Sequence, residues 1–267
     1  MNSIIHSDHL TTNKLKMAIQ KGIIPLQGTI GNLTFFKSQD GFMAKGKSEV
    51  DAKRIATHPA FARTRENGAE FTRAGKGSVL MRTALRPLIQ NISDARMIAR
   101  LVKEMMKVIK SDTTSARGFR NLEDGNAALL KGFDFNANSR LSSTFFPLYT
   151  HSFNRVTGEL SVNIPSFNPG KQVSVPAGTT HFKITSAGAD IDFANAVHVT
   201  AFTETGNLPW DNGATAVVDL VNTVTANSTH ALFLMLGVEF YQEVNGELYP
   251  LNNGAFNALQ IIGVDVV

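Results

Sequence analysis

The chain has 267 residues, 43% of them hydrophobic and 18% charged, which is enough to bury a sizeable core and too apolar for a disordered chain. It contains no cysteine, and this excludes disulfide staples, thiolate catalysis and cysteine-ligated zinc or iron–sulfur centres. The net charge of +4 divides unevenly: residues 1–135 hold 22 Lys and Arg against 12 Asp and Glu, a balance of +10, and residues 136–267 hold 4 against 10, a balance of −6.

Residues 1–16 lack the basic start and apolar run of a secretory signal and read as a mobile extension, with Met17 as an alternative start. With no signal seen, the cytoplasm is the default location. No segment reaches the roughly 18 apolar residues needed to span a bilayer, so no membrane span is expected. Residues 22–46 predict short strands, with "SQDGF" as a hairpin turn and Pro25 on an edge strand. From Pro59 to about Lys110 the pattern turns helical. Asn67-Gly68 and "GKGS" at 75–78 predict interruptions, and a second helix is expected over about 78–90, disturbed by Pro87.

A third helix lies in 91–110, with Ser93 as its N-cap candidate. Met97, Leu101, Met105 and Ile109 recur every four residues on one apolar face, which reads as core or interface rather than a pliable groove. A short helix near 121–131 ends at Gly132. Thereafter the chain is strand-rich. "STFFPLYT", "GELSVNI", "KQVSVP", "THFKITSAG", "AVHVTAFTE", "AVVDLVNTV", "HALFLMLGVEFYQEV", "ELYPL" and "FNALQIIGVDVV" are separated by turn clusters. The expected architecture is α+β. A basic β-hairpin and helical domain over 17–135 precedes an acidic antiparallel β-sandwich, jelly-roll or Ig-like, over 136–267.

Few residues assemble into recognisable chemistry. "GKG" at 75–77 suggests a phosphate loop, but the first glycine of that motif falls on Glu70 and its Ser/Thr on Gly77. The seven histidines form no metal-ligand pair; His181 and His198 lie on neighbouring predicted strands near Asp190 and Asp192 and read as exposed strand residues. No nucleophile elbow or dinucleotide fingerprint occurs. The sole tryptophan, Trp210, sits with Asp211 and Asn212 in the loop 203–213, either capping the core or stacking a sugar ring. Arg63, Arg65, Arg73, Lys76 and Arg82 head the basic residues suited to polyanion or interface contacts, interleaved with Glu66 and Glu70 as on ordinary salt-bridged helices.

The segments "PAFARTRENGAEFTRAGKG", "GTIGNLTFFKSQDGF" and "VPAGTTHFKITSAGADIDF" resemble those of a family of uncharacterised Bacteroidota bacterial proteins, over about Met17 to the C-terminus. The resemblance implies a bacterial origin and a two-part layout; it carries no activity, cofactor or site residue. The expectation from the residues is a non-enzymatic, self-assembling structural protein, without metal or cofactor, whose basic and acidic halves join copies into oligomers. Nucleic-acid association through the basic helices is the alternative, and carbohydrate binding at Trp210 the third reading.

Overall fold

The computed structural model describes residues 17–21, 24–46, 51–92 and 94–266, apart from the side chains of 252 and 253. The expectations for residues 1–16 and for Ser93 as a helix cap lie outside the described residues. Contacts divide the chain into two compact units, Met1–Thr64 and Arg65–Val267.

In the first unit, β1 (Met17–Ile19), β2 (Gly28–Ile30), β3 (Leu33–Ser38) and β4 (Gly41–Gly46) form an antiparallel sheet in the order β1-β4-β3-β2. The β3–β4 hairpin turns at the predicted place: Ser38 pairs with Gly41, whose φ of 107° is the left-handed geometry that glycine supplies cheaply. Pro25 lies outside any strand, contrary to the edge-strand expectation. A short helix, α1 (Ala52–Thr57), follows, and a 3-10 turn opens with Pro59.

The next helix, α2 (Ala62–Ala84), runs unbroken through Asn67-Gly68 and through 75–78, where the sequence predicts interruptions. Glu70, Ala74, Gly77, Ser78, Met81 and Ala84 are its buried positions, one helical face repeated over four turns. Gly77 explains the discrepancy. A β-carbon there would stand 2.2 Å from Leu122 Cδ1, so the glycine serves close packing and its intrinsic cost of about 1 kcal/mol in a helix is offset by burial. The separate helix expected over 78–90 is thus the end of α2 followed by α3 (Arg86–Ile89), with Pro87 in its first turn. Then comes α4 (Met97–Ser111), which buries Met97, Leu101, Met105, Val108 and Ile109, the apolar stripe expected from its four-residue period. The helix expected over 121–131 is only a 3-10 turn, Ala127–Leu130, after which Gly132 takes a φ of 84°.

The remainder contains α5 (Leu141–Thr144), β5 (Thr150–Asn154), β6 (Glu159–Ile164), α6 (Pro169–Gln172), β7 (His181–Asp192), β8 (Val197–Glu204), β9 (Leu208–Pro209), β10 (Val218–Thr223), β11 (Ala231–Val244), β12 (Glu247–Pro250) and β13 (Ala258–Asp265). "STFFPLYT" and "KQVSVP" are not strands over their lengths; they meet only at a bridge between Phe145 and Val173, between short helical turns. One antiparallel sheet has the order β10-β6-β5, and the other β12-β11-β7-β8, with β13 also beside β11 and β9 beside β7.

The long strand β11 organises the core. Leu232, Leu234, Leu236, Val238 and Phe240 point into a cluster shared with Leu160, Val162, Ile164 and Leu220 of the three-stranded sheet. Phe233 and Met235, on the opposite face, join Met81, Leu85, Leu101 and Met105 of the helices. Covered on both faces, β11 reads as a continuous apolar run rather than an alternating one. The same packing moves the boundary expected at 135. Helices α2 to α4 share a core with the sheet and belong to its unit; the contacts divide between Thr64 and Arg65 instead.

Candidate interaction surface

The register of the N-terminal sheet assigns its side chains to two faces. Met17, Ile19, Met43 and Phe36 share one; Ala18, Ala44, Phe35, Phe42, Leu33 and Ile30 share the other. Neither face buries anything: no described residue from Met17 to Thr64 is buried. Met17, Ile19 and Ile30 are 63%, 60% and 62% exposed. Lys45 lies over the Phe36 ring on one face and Lys37 over Phe42 on the other, both at the distance of weak cation–π contacts, 5.5 and 5.6 Å. The result is a small sheet, apolar on both sides and fringed with cations.

The basic residues singled out by sequence divide by role. Arg63 and Arg65 are exposed, as is Lys76. Arg73, by contrast, is a structural anchor, donating from Nη1 to the carbonyls of Gly118 (2.6 Å) and Arg120 (3.2 Å). The buried Glu70 completes that clamp by accepting from the Gly118 N–H at 2.9 Å, and Gly118 adopts a φ of 83°. Arg82 is half-buried, and its Nε makes no hydrogen bond. Arg73, Lys76, Leu80 and Phe193 line an open groove of about 610 Å³.

At the other candidate, the indole Nε1 of Trp210 donates to the Val173 carbonyl at 3.3 Å, and the side chain is 37% exposed. The Asp211 carbonyl accepts from the Gly170 N–H (2.7 Å) while its Oδ1 accepts from Gly213 (2.8 Å). The Asn212 carbonyl accepts from Asn168 Nδ2 at 2.6 Å. These bonds hold the loop against α6.

His181 and His198, expected as exposed strand residues, are both half-buried. His181 pairs with Tyr241 and Pro209, whereas His198 pairs with Ile191 at the far end of β7, so the two do not meet. It is His230 that reaches the carboxylates: its Nδ1 is 3.0 Å from Asp190 Oδ1 and its Nε2 is 3.4 Å from Asp192 Oδ2. The pairing of Ala231 with Ile191 brings His230 opposite Asp192, a consequence of strand register that residue spacing does not display. The backbone and side chain of Asn195 hold the Asp192 carboxyl below its ordinary pKa, with His230 adding to the effect. His230 and Asp192 edge a cavity of about 380 Å³.

A second polar cluster, unforeseen in sequence, surrounds the buried Glu239. It accepts from Asn91 Nδ2 (3.0 Å) and from the Tyr241 hydroxyl (2.7 Å), with Lys183 Nζ at 3.5 Å. Lys183 also pairs with Glu204 at 2.9 Å. Burial pushes the Tyr241 phenol up to about 12, and its bond to Glu239 adds to this. Burial opposes the charge on Lys183, yet Glu204 and Glu239 hold its pKa above the ordinary lysine value. Every member is bonded, which makes the network a structural one.

Among the described residues, no group of three or more His, Asp or Glu is arranged to hold a metal ion, and no helix is long and apolar enough to cross a membrane. No protein-family model, curated protein or solved structure matches this chain.

Proposed function

We propose that this protein is a non-enzymatic assembly protein, in which the N-terminal sheet docks on the β-rich region of a neighbouring copy. The observation that carries this reading is the sheet from Met17 to Gly46, apolar on both faces, with no described residue buried. Four strands of three to six residues with no buried core gain little from folding alone, and an exposed apolar surface of this kind marks an interaction site. Charge supports the choice of occupant. Residues 1–64 carry nine Lys and Arg against four Asp and Glu, a balance of +5, while residues 136–267 stand at −6. We read that acidic region as a β-sandwich of the jelly-roll or Ig-like kind, since its two sheets share the Leu160–Leu220–Leu234 cluster.

A contact between unlike surfaces is heterologous, so copies would close into rings or extend as filaments. Light scattering and electron microscopy of the full chain at low and high salt test the proposal. Oligomers that shrink as salt rises are expected; a monomer at high concentration in low salt rules assembly out. Nucleic-acid association is the second reading, favoured by the exposure of Arg63, Arg65 and Lys76 along one helix. It is the weaker, because Arg73 is spent on backbone carbonyls.

A further inference from the structure

We infer that the pocket between α4 and the 131–140 segment is an anion site for a phosphate-bearing group, independent of the assembly surface. Its volume is about 410 Å³, within the usual range of small-ligand pockets, and Arg100, Lys103, Lys131 and Arg140 all line it. The segment is positioned by β13: Gly132 donates to Ile261 at 2.7 Å and Phe135 to Leu259 at 2.8 Å.

Arg100 forms a fixed wall. It donates to the carbonyls of Asp134 (2.7 Å) and Phe135 (3.2 Å) and to Asp94 Oδ2 (2.6 Å), and its guanidinium lies 5.1 Å from the Phe133 ring centre. Its Nε is buried with no hydrogen-bond partner.

The other three cations differ from Arg100. Among the described residues, the side chains of Lys103, Lys131 and Arg140 make no hydrogen bond or ion pair. Of the two acids in the lining, Glu104 is paired with Lys107 at 2.6 Å. Asp134 turns Oδ1 toward the Leu141 N–H (3.1 Å) and Gln260 Nε2 (2.9 Å). Three unpaired cations against one carboxylate leave an excess of two positive charges, which matches the roughly −1.5 to −2 of a phosphate monoester at neutral pH. Burial raises the pKa of Asp134, while its bonds from Leu141 and Gln260 and the nearby Arg140 and Arg100 oppose that rise. Convergence on one concavity, rather than a stripe along a surface, favours a small phosphorylated molecule over a nucleic-acid strand.

Isothermal titration of the full chain with inorganic phosphate and with pyrophosphate, at low salt, tests the site. Pyrophosphate binds more tightly than phosphate, and Lys131→Ala and Arg140→Ala each weaken it about tenfold or more. Lys110→Ala, an exposed lysine of the same helix outside the pocket lining, leaves binding unchanged, and thermal melts confirm that all three variants fold. Displacement of a bound short oligonucleotide by pyrophosphate identifies the phosphate source as a nucleic-acid backbone; pyrophosphate binding without oligonucleotide binding identifies a small molecule. The inference is overturned if neither anion binds at about 10 mM, far above the usual range for a specific small ligand. It is overturned equally if Lys131→Ala and Arg140→Ala bind like the parent chain.

Discussion

Serine substitutions on the two faces of the N-terminal sheet probe the assembly surface directly. The pair Met17→Ser and Ile19→Ser strips one face; Ile30→Ser and Leu33→Ser strip the other. Met17, Ile19 and Ile30 are about three-fifths exposed and Leu33 nearly half, so substitution costs the isolated chain little. Each side chain leaves roughly 100 Å² of apolar surface to be covered in a docked state, about 2.5 kcal/mol at 25 cal/mol per Å². Association retains only part of this, because ordering side chains and losing rigid-body freedom oppose it, so about 2–3 kcal/mol per pair is expected. That is a weakening of about 30- to 150-fold in the association constant. Sedimentation velocity across a concentration series measures it, with circular-dichroism melts confirming an unchanged fold. The pair on the docking face shifts the monomer–oligomer transition to higher concentration, and the other pair does not. If both variants assemble at the parent concentration, the sheet is not the contact and the reasoning from its exposed faces fails.

The clamp made by Arg155 gives a stability test. It donates to Asp265 Oδ2 (2.6 Å) and to the carbonyls of Asp265, Ser228 and His230, joining the β5–β6 turn to the approach to β11 and the end of β13. Arg155→Ala is expected to cost about 2–4 kcal/mol in urea unfolding, and Arg155→Lys to recover under half, since an ammonium cannot reproduce the fork; a loss below about 0.5 kcal/mol refutes the clamp. The Glu239 network predicts an alkaline effect. The Tyr241 phenol, ordinarily near 10.0, is raised to about 12, so the unfolded chain releases that proton first and stability falls as pH rises from about 10 to 12. Ultraviolet titration detects Tyr241 as the last phenol to ionise, behind Tyr149, which burial also raises; Tyr241→Phe removes that last phase and flattens the fall, and persistence of the phase near pH 12 in that variant refutes the assignment.

The features legible in sequence rest on short-range physics. The four-residue recurrence of Met97, Leu101, Met105 and Ile109 identifies the buried face of α4, because side chains at that spacing must lie on one stripe. Asp40-Gly41 locates the β3–β4 turn for a similar reason, glycine being the residue that accepts its positive φ. The strands from β6 onward, apart from the two-residue β9 in the expected loop 203–213, follow from β-branched and aromatic runs between turns, whereas "KQVSVP" fails because its residues close a helical turn at α6 instead. Of the residues proposed for contact, Arg63, Arg65 and Lys76 are exposed as a contact surface requires, but Arg73 is occupied by carbonyls more than forty residues away. No local pattern announces that partnership.

By itself, then, the amino-acid sequence determines the alternation of helix and strand, the absence of cysteine chemistry and the polarity of charge along the chain, all properties of neighbours within a few positions. Tertiary structure decides the rest. It keeps Gly77 helical by packing it against Leu122, and it brings His230 to Asp190 and Asp192 through the pairing of β7 with β11. It also gathers Arg100, Lys103, Lys131 and Arg140 around one pocket. These outcomes depend on strand register and on which surfaces meet, and both are settled by the burial of residues far apart in the chain.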